Sequence, residues 1–378
     1  MIYADNAAST RLSEHALQKM LPFLRKHYGN PSSLHTPGTF AHTTLQTARQ
    51  DIADAIGADP SEIFFTSGGS ESNSWVIQAF ASANPDGHII TSSIEHASVL
   101  NACHAAQQAG ARITYLPVDA DGRVSIEHLQ NALTPQTKLV SIMTANNEIG
   151  TIQPVAHMAE MLHAHHIPFH TDAVQAVGHI PVDVRSAHFD FLSASAHKFH
   201  GPKGIGFVYI KKGFTLPPII FGGKQEYGLR GGTENLPGIV AMAAALHEAV
   251  YGLSTESQRL ANLVHATWQK LQKSIPDIRF NAQNAPRLPG LLSLTFPSTN
   301  GSALANLLNL KDIYISTGSA CHAGNTTPSH VLTAIGLPAS LAQNTIRISY
   351  GRDNTLNDAD DIADALIWAY HKIHHIPV

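Results

Sequence analysis

Through the first 211 residues, short apolar runs alternate with longer stretches whose apolar positions recur at helical spacing. The spacing predicts helices over residues 12–27 and 39–56, with Gly57-Ala-Asp-Pro60 stopping the second before a strand at 62–66. A helix then opens at Ser70, directly after Gly68-Gly69. Strands at 88–92, 112–116 and 139–144 alternate with helices at 97–109, 126–133 and 155–165, and further short strands end at Asp172, before Lys198, and over 204–211. Strand–helix alternation reads as crossover units, so a mostly parallel sheet of the α/β class is expected. A long amphipathic helical run over 236–274 should link this part to a smaller α+β unit. That unit has strands at 278–280, 291–296, 313–316 and 345–349, and helices at 303–310, 329–335 and 356–373. The expected division is a large domain over 13–250 and a small domain formed by 1–12 and 251–378.

Composition narrows the class. Apolar residues make up 43% and charged residues 14% of 378, which is the profile of a packed globular chain. A net charge of −4 supplies no basic field, so nucleic-acid binding is not expected. Residues 1–10 lack a basic then apolar leader, and the apolar run 238–246 is too short to span a bilayer; no membrane partner and a cytoplasmic location are expected. Two cysteines, Cys103 and Cys321, do not make a disulfide framework. Cys103 lies in a helical pattern and reads as packing. The histidine groups 163/165/166 and 371/374/375 lack a cysteine or carboxylate set to complete them, so no metal site is expected.

Candidate chemistry starts at Lys198, delivered to a strand end where a Gly-Pro turn begins. An amine there should feel desolvation that lowers its pKa and makes it a usable nucleophile. Upstream, Asp172 closes an apolar strand, and a carboxylate in that position is costly unless it meets a cation. Gly69 and Ser70 offer free amides and a hydroxyl at a helix start, the usual geometry for a phosphate. Arg347, between isoleucines on a strand, should be an expensive cation unless it holds an anion; a bidentate carboxylate clamp fits, and an internal salt bridge is the alternative. Cys321 lies in a Gly/Ser/Thr-rich stretch after a strand, where a thiol is more accessible than Cys103, and neighbouring His322 could raise its thiolate share.

Phosphate turn, carboxylate and lysine occur in the order in which a pyridoxal phosphate site is built. With Ala196-His-Lys-Phe-His-Gly-Pro-Lys-Gly204 and Gly318-Ser-Ala-Cys-His322 as its most telling pieces, the chain resembles the class V aminotransferase group of fold-type-I pyridoxal phosphate enzymes. Within that group it is similar to the cysteine desulfurases of the IscS and NifS kind. The likeness runs from Tyr3-Ala-Asp-Asn-Ala-Ala-Ser-Thr10 to Ile346-Arg-Ile-Ser-Tyr-Gly-Arg352, nearly the whole chain.

The resemblance implies pyridoxal 5'-phosphate held covalently by Lys198, with Asp172 on the ring nitrogen and His96 stacked on the ring and shuttling protons. Asn147 and Gln175 lie near the ring oxygen, and Gly69, Ser70, Ser195 and His197 grip the phosphate. Ser70 stands where the family has threonine, which keeps the hydroxyl. Loops 5–10 and 28–33 approach the site. Thr233, in the Gly-rich loop 221–235, reaches the partner's phosphate, so a homodimer is implied. Substrate L-cysteine meets Arg347 and Asn147, Lys198 takes the Cα proton, and Cys321 accepts sulfur for a further acceptor such as an iron-sulfur scaffold or a thiolation pathway. His322 departs from the family's small or hydroxyl residue and is shared with some selenocysteine lyases, which leaves selenocysteine lyase as an alternative. A catalytically silent sulfur-transfer scaffold is another.

Overall fold

The computed structural model describes residues 1–317 and 328–376. Strand β1 (Ile2–Tyr3) precedes a seven-strand set: β2 (Ile63–Thr66), β3 (His88–Ser92), β4 (Arg112–Leu116), β5 (Thr137–Ser141), β6 (Phe169–Asp172), β7 (Phe191–Ser195) and β8 (Gly206–Ile210). Their order in the sheet is β2-β8-β7-β6-β5-β3-β4. Neighbours from β4 through β7 are parallel, and β8 runs antiparallel to both β7 and β2. β2 and β7 therefore point the same way, and the C-terminal ends of β2, β3, β5, β6 and β7 all meet one edge of the sheet.

Period-two alternation sorts the strand side chains between two cores. Ile63, Phe65, Ile90, Val140, Leu192 and Phe207 face one side, with helices Thr36–Ile56 and Leu236–Tyr251. Phe64, Ile89, Leu139, Phe191 and Val208 face the other, with helices Gly69–Ala83 and Ala97–Gln108. Burial on both faces explains why these strands are nearly continuous apolar runs. Cys103 belongs to the second core, fully buried, and burial pushes its thiol up to about 12. It is a packing residue, as the helical pattern suggested.

The second sheet contains β9 (Arg279–Phe280), β10 (Leu291–Thr295), β12 (Ser316–Thr317) and β13 (Thr345–Ser349), antiparallel in the order β12-β13-β10-β9. Its core joins Leu292, Leu294, Ile346 and Ile348 to Leu263 and Trp268 of helix Leu253–Ser274 and to Ile362 and Leu366 of helix Leu356–Ile373. Two expectations are corrected here. The run 313–316 is not one strand: β11 (Ile313–Tyr314) pairs with β1, and the chain changes sheets at Ile315 before β12 pairs with β13. The run 236–274 is not one helix either, because Leu236–Tyr251 and Leu253–Ser274 meet at Gly252 with a bend of 73°. The first of these helices is buried broadly in the large core, whereas the second presents one apolar face to the smaller sheet. Among the described residues no single helix is long and apolar enough to cross a membrane.

Candidate active site

The strand ends named above surround a cavity of about 530 Å³. At the end of β2, Gly68 leads into helix Gly69–Ala83 with no side chain capping its first turn. Gly69 packs closely here: a Cβ would lie 2.5 Å from Val174 Cγ2, so that the Val174 side chain would have to move. Gly206 allows β8 to pass the same turn, where a Cβ would meet Gly68 Cα at 2.7 Å. Uncapped amides at a helix start form an anion site. Ser70, Ser195 and His197 line the cavity beside them.

His197 Nδ1 lies 3.3 Å from Ser9 Oγ. Burial, reinforced by the positive charges of Lys198 and Lys203, pushes its imidazole down to about 4. The ring is therefore neutral near pH 7. Lys198 follows β7 in a short 3-10 turn, Ala196–Lys198, and its Nζ donates to the carbonyls of Ala7 at 2.7 Å and Ala8 at 2.9 Å. Gln175 Nε2 also donates to Ala7 O, at 3.0 Å.

Asp172, at the end of β6, is 4% exposed. Its Oδ1 accepts from the Val174 N–H at 3.0 Å and its Oδ2 from Asn73 Nδ2 at 2.7 Å. Both donors are neutral, and among the described residues no cation forms an ion pair with it. His96 caps helix Ala97–Gln108, its Nδ1 accepting from Ser98 N–H at 3.1 Å. That bond leaves the proton of the neutral ring on Nε2. Burial lowers its pKa, Asp172 opposes the shift, and Lys198 adds to it.

On the side of the second sheet, Arg347 and Asn147 complete the wall. Arg347 Nη1 donates to the Asn147 carbonyl at 2.9 Å and Nη2 to Asp5 Oδ1 at 2.7 Å. The guanidinium thus has an internal partner and still borders the cavity.

The structure brings together Gly69, Ser70, His96, Asn147, Asp172, Gln175, Ser195, His197, Lys198 and Arg347. Thr233 is exposed and lines a separate space of about 70 Å³, which shares Ser67 and Gly204 with the main cavity. Cys321 and His322 lie outside the described residues. Sequence reading missed Asn73, whose only signal was an amide one turn inside an apolar helix. It also missed Glu95, fully buried next to His96, whose carboxyl burial pushes up to about 8. Glu95 Oε1 accepts from Ser92 Oγ at 2.6 Å and from Met143 N–H at 3.0 Å, tying the ends of β3 and β5 together.

Comparison with known proteins agrees with this arrangement. The profile of the family described as aminotransferase class-V matches residues 2–362. The protein named cysteine desulfurase IscS of Methanosarcina thermophila is 44% identical over 99% of this chain and 93% of its own length. The IscS of Dictyoglomus turgidum (strain DSM 6724 / Z-1310) is also 44% identical, over 99% and 96%. A solved structure titled NifS-like protein superposes with a TM-score of 0.93 at 39% identity, covering 98% of this chain and 99% of its own. With family profile, full-length relatives and superposed fold in agreement, the chain belongs to the class-V aminotransferase family and, within it, to the cysteine desulfurases of the IscS and NifS kind.

Proposed function

We propose that this chain is a pyridoxal 5'-phosphate-dependent cysteine desulfurase that converts L-cysteine to L-alanine and leaves the sulfur on Cys321 as a persulfide. The observation that carries the reading is the convergence of Lys198, buried Asp172 and the uncapped start of helix Gly69–Ala83 on one cavity that Arg347 also borders. The residues fit the cofactor. The helix amides with Ser70, Ser195 and neutral His197 suit a phosphate, and Asp172, whose donors among the described residues are both neutral, suits a protonated ring nitrogen. The Lys198 amine suits an aldehyde.

When bound, the cofactor supplies an electron sink for charge developing at the substrate Cα. The chain's own groups do the rest. Asp172, oriented by Asn73, holds a proton at the ring nitrogen. With the cofactor bound, His96 would lie against its ring and move protons through Nε2, and Asn147 and Gln175 would border the ring oxygen. Arg347 and Asn147 hold the substrate carboxylate, and Lys198 Nζ takes the Cα proton. The Cys321 thiolate attacks the substrate sulfur, so that an S–S bond forms as the Cβ–S bond breaks with its electron pair left on the carbon side; one proton delivered to Cβ and one returned to Cα from Lys198 complete alanine. Another solved relative, titled SspA in complex with cysteine, is 39% identical with a TM-score of 0.83, which supports cysteine as the substrate here.

The same reading makes the chain a homodimer, with exposed Thr233 contributing to the partner's phosphate site. The persulfide passes to an acceptor protein, with an iron-sulfur scaffold as the class proposed. The chain divides into a domain over 13–250 and one over 1–12 and 251–378, supported by the separate core that joins Ala4 to residues from Leu260 onward. Incubation with L-cysteine and a reductant, measuring sulfide and alanine together, tests the activity: equal amounts of both are expected, and keto-acid consumption without sulfide would indicate transamination instead. The Cys321-His322 pair favours a second reading, selenocysteine lyase. Turnover of L-selenocysteine with none of L-cysteine would select it.

A further inference from the structure

Arg347 sits mid-strand in β13, opposite Ser293 of β10 and Ser316 of β12, and its side chain is 2% exposed. Two of its three nitrogens are engaged, Nη1 by the Asn147 carbonyl and Nη2 by Asp5 Oδ1. Nε is buried and has no hydrogen-bond partner among the described residues. Arg347 lines the cavity, and the donors it has left for a carboxylate are Nε and the second N–H of Nη2, so a carboxylate bound there would share Nη2 with Asp5. Two carboxylates sharing one guanidinium repel, and with the Asp5 side chain only 21% exposed, water screens that repulsion incompletely.

Asp5 is held firmly in place. It forms a bridge with Ser349, Asn6 donates through N and Nδ2 to Ser349 O, and Ala7 N–H donates to Ser349 Oγ. The next two carbonyls are those that receive Lys198 Nζ. A short N-terminal strap thus touches both the carboxylate-binding arginine and the lysine.

Resting on the reading of Arg347 as the substrate-carboxylate clamp, we infer that Asp5 is a positioning residue that acts through Arg347 as an internal competitor. It fixes which edge of the guanidinium receives the substrate and lowers the affinity for it. Arg347 does not depend on the negative charge for its aim, because strand register and the Asn147 carbonyl hold it, and an amide oxygen at position 5 would still accept from Nη2. The substrate carboxylate takes no part in bond breaking. Its repulsion is felt equally in the ground and transition states, so the effect falls on KM and not on kcat.

The test compares cofactor-loaded wild type, Asp5→Asn and Arg347→Lys, reading KM and kcat for L-cysteine and calorimetric binding of L-alanine, which carries the carboxylate without sulfur. Asp5→Asn should lower both KM and the L-alanine Kd by about 5- to 20-fold, with kcat changed by less than about twofold. Asp5→Ser, should the first variant fold poorly, is expected to move the same way. Unchanged or weaker L-alanine binding in these variants overturns the gate, because Asp5 would then be only a brace for Arg347. Equal L-alanine affinity in wild type and Arg347→Lys overturns the clamp and the gate together. Tight, Asp5-sensitive L-alanine binding in an enzyme that releases no sulfide supports the gate while refuting the desulfurase reading.

Discussion

Asn73 Nδ2 donates to Asp172 Oδ2 at 2.7 Å, linking the first turns of helix Gly69–Ala83 to the carboxylate that ends β6. The element that presents uncapped amides to a phosphate thereby also orients the group proposed for the ring nitrogen. Asn73→Ala should leave cofactor binding within a few-fold of wild type but lower kcat by about 10- to 100-fold, the equivalent of one hydrogen bond to a charged acceptor. Steady-state rates beside a cofactor titration check this, and an unchanged kcat would show that Val174 N–H alone suffices.

Lys198→Ala removes the only amine proposed to bind the aldehyde and to take the Cα proton. Turnover should fall below detection, and the visible absorbance of lysine-bound cofactor should vanish even with cofactor present in excess. Persistence of that absorbance would place the covalent anchor elsewhere.

The two thiols should behave oppositely. Burial holds Cys103 as a thiol, pushed up to about 12, so Cys103→Ala should keep activity within about twofold and cost roughly 1 kcal/mol of packing. Cys321→Ser should still bind cofactor and substrate, yet form neither persulfide nor alanine. Full turnover in the double variant would remove Cys321 from the mechanism.

Acid should destabilise the fold through buried neutral histidines. His170, between Ser141 Oγ at 2.8 Å and Ser193 Oγ at 3.0 Å, is pushed by burial down to about 3, and burial, with the positive charge of His200 adding to it, pushes His179 to about 4. The folded state then binds fewer protons than the unfolded chain, whose histidines titrate near 6.5. Their contribution is whole above about pH 6.5 and is lost as pH falls toward 3, at about 1.4 kcal/mol per unit for each residue. Melting temperature measured against pH should fall over that window. His170→Gln should lower the plateau and flatten the slope; an identical slope would assign the acid sensitivity to other groups.

Thr233→Ala should weaken cofactor binding by about 10-fold, the loss of one charge-assisted phosphate contact, and sedimentation should show a dimer in both forms. A wild-type monomer with full cofactor affinity would rule out a contribution across subunits.

Much of this architecture is decided locally. Period-two and helical spacing are set by backbone geometry and by which face must leave water, so the alternation of strands and helices, and the strand ends at Asp172 and before Lys198, are legible from residue order alone. The run Ala196-His-Lys-Phe-His-Gly-Pro-Lys-Gly204 likewise carries its chemistry in its composition. Where spacing was ambiguous, long-range packing decided. Pattern alone does not separate β11 from β12, because the break at Ile315 exists only to let one strand pair with β1 and the other with β13. Nor does it show the 73° bend at Gly252, made where one helix packs on the large sheet and the next on the small one. The partners Asn73 on Asp172, Asp5 on Arg347, and the Ala7 and Ala8 carbonyls on Lys198 join positions 99, 342, 191 and 190 residues apart. Side chains fixed by their neighbours in sequence can be read from it; contacts made where separate segments must satisfy one another's buried charges are settled only when the chain has closed around the cavity.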